Sequence, residues 1–147
     1  MESFRLPRKA IYASATQVTR IRGQHACRGR ETSAENVVFH SPLLVRAVEG
    51  REKVAVIMAT SPKIRQGSYT AEYRLDDRNT FLRWNGKIEG HEIESLGVVT
   101  DNDQGLVVEY TIAFRPLPAA QIFREVIYPL VADIIGPEYW EYSASAA

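Results

Sequence analysis

Glu92 and Glu94 stand two residues apart, and Glu109 follows across a turn that contains Gly105. In a strand, side chains alternate between faces, so the first two share a face and Glu109 reaches the next strand in antiparallel register. On a concave apolar face, a carboxylate loses hydration, its pKa rises and it can act as a general base. Turned to water, the same row is an ordinary surface row countered by Arg83, Lys87 or Arg115. His40 stands at a strand end before Ser41 and Pro42, where an imidazole is suited to proton transfer near neutral pH and equally to capping the turn. Glu94 and His40 are therefore the candidate catalytic pair. Tyr69, Tyr73, Trp84 and Tyr110 carry aromatic faces with polar tips, suited to a flat apolar ligand or to plain core packing. Arg115 can orient an anion through a bidentate contact or pair with a neighbouring carboxylate. The candidate ligand contacts are Tyr69, Tyr73, Trp84, Glu109 and Arg115.

Other chemistries find no residues to carry them. The three histidines, His25, His40 and His91, are dispersed and lack the spacing that converges ligands on a metal, so no metal site is expected. The sequence contains no phosphate loop, dinucleotide fingerprint, nucleophile elbow or Cys–His arrangement, and no cofactor is expected. Cys27 has Arg28 beside it to lower its pKa, but no catalytic partner.

The elements that must position these groups come from one chain of 147 residues and 16.6 kDa, a length that suits a single core. With 45% hydrophobic and 24% charged residues, the composition is globular rather than disordered. The richest apolar stretch, residues 126–135, contains Pro129 and Asp133 and falls short of the roughly 18 to 20 residues needed to cross a bilayer. No membrane partner is expected. A single cysteine forbids an internal disulfide and makes the reducing cytoplasm the expected compartment. Zero net charge argues against nucleic acid as a partner, yet residues 1–34 hold seven Arg or Lys against Glu2 and Glu31. The division is thus a basic arm, residues 1–34, expected to pack on an acidic body, residues 35–147. Arg-rich and acid-poor, residues 1–30 also have the composition of an organellar transit peptide.

Val37, Val38 and Phe39 form a strand that His40, Ser41 and Pro42 close. Residues 50–60 read as a helix with Val54, Ile57 and Met58 on one face, stopped by Ser61 and Pro62. A meander of four antiparallel strands follows: residues 67–75, 80–84, 88–100 and 106–114. Its turns are placed at residues 76–79, at Asn85 and Gly86, and at residues 101–105. Residues 119–135 show helical spacing around Pro129, and Gly136 and Pro137 end that helix before a tail in which Tyr139, Trp140 and Tyr142 can dock. Residues 10–18 fit helix or strand equally, and residues 23–32 fit a loop.

Taken in order, Val37 to Pro42, then Glu49, Gly50 and Arg51, the Gly105 turn with the strand to Phe114, and Arg115, Pro116 and Leu117 make the chain resemble the nuclear transport factor 2-like superfamily, in its SnoaL-like branch. The resemblance spans about residues 36–135 and implies an α+β fold: a cone-shaped, curved antiparallel sheet packed against helices and enclosing a pocket, commonly in a homodimer. It implies a pocket for a small, largely apolar molecule, with a cofactor-free isomerase, cyclase, dehydratase or hydrolase as the activities, or binding without chemistry. The other function it implies is an interaction or dimerisation module. In ketosteroid isomerases of this superfamily a carboxylate in an apolar site does the proton transfer. Many relatives carry an acidic residue where alignment on the Gly105 turn places Gly97, and Glu94 borders that gap. A row of exposed apolar side chains among Leu106, Val108, Tyr110, Ile112 and Phe114 would favour the homodimer.

Overall fold

The computed structural model describes residues 19–20 and 30–141. His25, Cys27, Tyr142 and most of the basic arm lie outside the described residues, as do the readings made on them. Nine elements follow in chain order: β1 (Thr19–Arg20), β2 (Ser33–His40), β3 (Val48–Glu49), α1 (Arg51–Ile64), β4 (Gln66–Arg74), β5 (Asn79–Ile88), β6 (His91–Asp101), β7 (Val107–Arg115) and α2 (Leu117–Val131). They form one seven-stranded sheet, ordered β1-β4-β5-β6-β7-β2-β3, in which β2 runs parallel to β7 and every other pair is antiparallel. Register shifts interrupt the ladders at Tyr69/Ala71, at Thr100/Asp101 and between Ser33 and Val38, and such bulges bend strands. The sheet curves around α1 and α2 as an α+β cone, and the meander from β4 to β7 is the one read from the sequence. β2 begins at Ser33, so the division between residues 34 and 35 falls inside a strand.

One turn lies elsewhere than expected. Asn85 and Gly86, the strongest hairpin signal in the sequence, are not a turn but the interior of β5. The reversal comes at Glu89 and Gly90, whose φ angles are +47° and +77°. Gly86 faces Gly67 across the β4–β5 ladder. A Cβ on Gly67 would stand 2.6 Å from both the Gly86 Cα and the Trp84 ring, so this glycine pair lets two strands close over an indole.

The helix expected to stop at Ser61 continues through it and Pro62 to Ile64. Pro62 lacks the N–H that Met58 would accept, but its fixed φ is helical, and buried Val54, Ile57 and Ser61 hold the face against the sheet. Helix α2 contains Pro129 as expected and turns Ala119, Ala120, Phe123, Ile127 and Val131 inward. After it, Trp140 is buried and its Nε1–H donates to the Ile135 carbonyl at 2.9 Å. Arg124 on α2 donates through Nε to the Leu43 carbonyl, and the Val45 N–H donates to the Tyr139 carbonyl. These bonds tie residues 41–45, α2 and the C-terminal turn into one wall. Among the described residues, no helix is long and apolar enough to cross a membrane.

Candidate functional site

The cone holds a cavity of about 660 Å³. Strand alternation decides its wall. Leu82 and Trp84 of β5, Ser95, Gly97 and Val99 of β6, and Tyr110, Ile112 and Phe114 of β7 all face it, and Met58 of α1 with Phe123 and Ile127 of α2 cover it. The exposed members of its lining, Ala59, Pro62, Gly67, Ser68 and Tyr69, sit together where α1 ends and β4 begins, which marks the mouth. Buried Val99, Tyr110, Phe123, Ile127 and Trp140 lie deeper. Polar groups on the described wall are the hydroxyls of Ser41, Ser61, Ser68, Ser95, Tyr69 and Tyr110 and the guanidinium of Arg65. That set can orient a ligand, and it contains no carboxylate, imidazole or thiol among the described residues.

Of the expected site residues, the fold brings Tyr69 and Trp84 to the cavity. Glu94, His40, Tyr73, Glu109 and Arg115 are not among its lining. Because Ser95 and Gly97 face inward, alternation turns Glu94 to the outer side of the sheet. There its carboxylate meets Arg83 Nε at 2.9 Å and Arg115 Nη2 at 2.7 Å, and only 12% of the side chain is exposed. The hydrogen bonds from Arg115, with those from Arg83, hold its pKa below the usual carboxylate range. A general base needs the opposite shift, so the geometry gives Glu94 the ion-pairing role rather than proton transfer. Glu94 and Arg115 instead share a separate, shallow groove of about 590 Å³ with Lys87 and Glu92. His40 also points outward, 3.6 Å from Glu109, with 45% and 49% of the two side chains exposed. The pair expected at the pocket is therefore not assembled there. Tyr73 stacks on its cross-strand neighbour Phe81, ring centroids 6.4 Å apart, on the outer face.

The row expected to be exposed on β7 is corrected in the same way. Tyr110, Ile112 and Phe114 line the cavity, and the outward positions are Glu109, Thr111, Ala113 and Arg115. Gly97, at the position where the family resemblance puts an acid, is in the wall itself.

Arg65 is the group that sequence reasoning missed. It caps the C-terminal end of α1, half-buried, with its guanidinium 4.3 Å from the centroid of the Trp84 ring. Burial lowers its pKa from the ordinary arginine value, and Tyr69 beside it acts in the opposite direction. An arginine so placed stays charged. The helix expected to stop at Ser61 left Arg65 without a role; the extra turn carries it to the cavity mouth, and no motif marks it. Among the described residues, no group of three or more His, Cys, Asp or Glu is placed to hold a metal.

No protein-family model matches the sequence, and no curated protein matches it either. Solved structures do. An uncharacterised bacterial protein with a cystatin-like fold from Silicibacter pomeroyi superposes with a TM-score of 0.67 at 19% identity, covering 72% of this chain and 75% of that one. A steroid delta-isomerase from Pseudomonas aeruginosa superposes with a TM-score of 0.66 at 19% identity, covering 72% and 79%. A de novo designed protein with a curved β-sheet reaches 0.55 at 12% identity over 82% and 99%. A likeness at such identities fixes architecture and not activity. What this chain shares with the steroid delta-isomerase is the cone-shaped α+β fold of the nuclear transport factor 2-like proteins.

Proposed function

We propose that this chain is a small-molecule pocket protein of the SnoaL-like type, which holds a largely apolar ligand inside the cone. The observation that carries this reading is the cavity itself: about 660 Å³, open at one end, walled by aromatic and aliphatic side chains with a few hydroxyls. A similar fold in a protein named as a steroid isomerase supports a flat apolar ligand class. Isomerase chemistry on the carboxylate pattern would need an acid where Gly97 stands, so binding is the better supported activity.

Phenylnaphthylamine, a neutral fluorophore that brightens in apolar surroundings, is expected to bind saturably at one site per chain. Ile112→Trp, which fills the cavity from its wall, should weaken that binding at least about tenfold, or ~1.4 kcal/mol. An unsaturable signal, or affinity unchanged in a correctly folded Ile112→Trp variant, would sink the reading.

Self-association belongs to the same proposal. Arg83, Leu96 and Ala113 form one outward row across β5, β6 and β7, with Leu96 37% exposed and Glu94 alongside. An apolar residue ringed by both charge signs suits pairing with its own copy about a two-fold axis. Equilibrium sedimentation at micromolar concentration should give twice 16.6 kDa, and a clean 16.6 kDa would remove the dimer.

A further inference from the structure

Arg65 is the one charged side chain among the described residues that line the cavity. The described ion pairs join His40 to Glu109, Arg74 to Asp101, Arg78 to Asp103, and Arg83 and Arg115 to Glu94; none involves Arg65. A cation withdrawn from water without a counter-charge is costly, and stacking on Trp84 offsets only part of that cost. The surface arginines of this chain show the cheaper arrangement, with Arg83 and Arg115 pairing with Glu94 on the outer face of the sheet. Arg65 is set apart from them by position as well as by partner. It stands at the mouth, beside Tyr69 and Ser68, while the described wall deeper in is uncharged and mostly apolar, with the hydroxyls of Ser95 and Tyr110 in it. Charge at the opening and an uncharged, mostly hydrocarbon interior form a polarity gradient along one cavity.

We infer that the natural ligand is an amphipathic carboxylic acid, bound with its apolar body inside the cone and its carboxylate on Arg65 at the mouth. The guanidinium fork matches a carboxylate geometrically, and the indole behind it fixes the plane of the fork. Tyr69, adjacent to Arg65, is placed to donate its hydroxyl to the same anion. This inference rests on the cavity being a ligand site, and it adds the class of ligand.

The test is competition against bound phenylnaphthylamine by naphthylacetate and by naphthylethanol, which share their rings and differ in charge. In the wild-type protein the acid should displace the fluorophore at about tenfold lower concentration than the alcohol. Arg65→Met should bring acid and alcohol to parity while phenylnaphthylamine still binds, and Arg65→Lys should keep part of the acid's advantage. Equal displacement by the two compounds in the wild type, or an acid advantage that survives in Arg65→Met, overturns the assignment and leaves the cavity reading standing. Failure of phenylnaphthylamine to bind strikes the cavity reading instead. Calorimetric titration of the acid and the alcohol, which needs no reporter, then decides the acid preference separately. If Arg65→Met loses its fold, the acid-to-alcohol ratios of the wild type and of Arg65→Lys decide the assignment.

Discussion

Replacing Gly86 with alanine should destabilise the protein by about 3 kcal/mol or more, at the upper end of what one added methyl group does in a core. A Cβ there would collide with the Gln66 carbonyl oxygen and with the Trp84 ring, a backbone atom and a rigid indole that cannot swing aside. Relief requires β4 and β5 to separate where Gly67 and Gly86 face each other. Gly90→Ala is the control. Nothing stands within 4 Å of a Cβ at Gly90, and only its φ of +77° objects, at a cost of about 1 to 2 kcal/mol. Denaturant unfolding of the two variants distinguishes a close-approach glycine from a turn glycine. Equal losses would mean that β4 and β5 have room to spare, and would remove the account of how the cone closes over Trp84.

Trp84→Ala should cost about 3 to 5 kcal/mol, the usual range for removing a buried large aromatic ring. In a domain of this size that corresponds to a melting temperature lowered by on the order of 10 °C. Trp84 is only 4% exposed, packs over the two facing glycines of the β4–β5 ladder and carries the Arg65 guanidinium on its face. Its loss therefore removes core area, a wall of the cavity and the stacking partner of Arg65. Trp84→Phe should recover most of the stability but little of the preference for an acid, since the smaller ring restores packing and holds a guanidinium less well. A loss below about 1 kcal/mol for Trp84→Ala would show that the ring is not part of the core.

Much of the architecture was legible because local signals agreed with the fold. The Asp76 turn formed where four consecutive polar residues stood, with the Asp76 carboxylate accepting from the Arg78 and Asn79 N–H groups. The Gly105 turn and the strands around it followed for the same reason. Asn85 and Gly86 misled because the dipeptide that favours a hairpin turn is also small enough for close strand approach, and only the partner strand distinguishes the two. Pro62 misled because a proline near the end of a helix is tolerated when the burial of its neighbours outweighs one missing hydrogen bond.

The sequence by itself determined that Glu94 and Ser95 lie on opposite faces of a strand, that four strands form a meander and that a helix with Phe123 and Ile127 covers it, because period and turn chemistry are local properties. Which face is concave was decided only by tertiary structure. Curvature depends on bulges, on the Gly67–Gly86 contact and on where α1 and α2 pack, and all of these join residues far apart in the chain. That choice turned Glu94 outward to Arg83 and Arg115 and His40 outward beside Glu109, and turned Tyr110, Ile112 and Phe114 inward to form a wall. One extra turn of α1 then brought Arg65 to the mouth, because a helix end is set by the burial of its face as much as by its breakers.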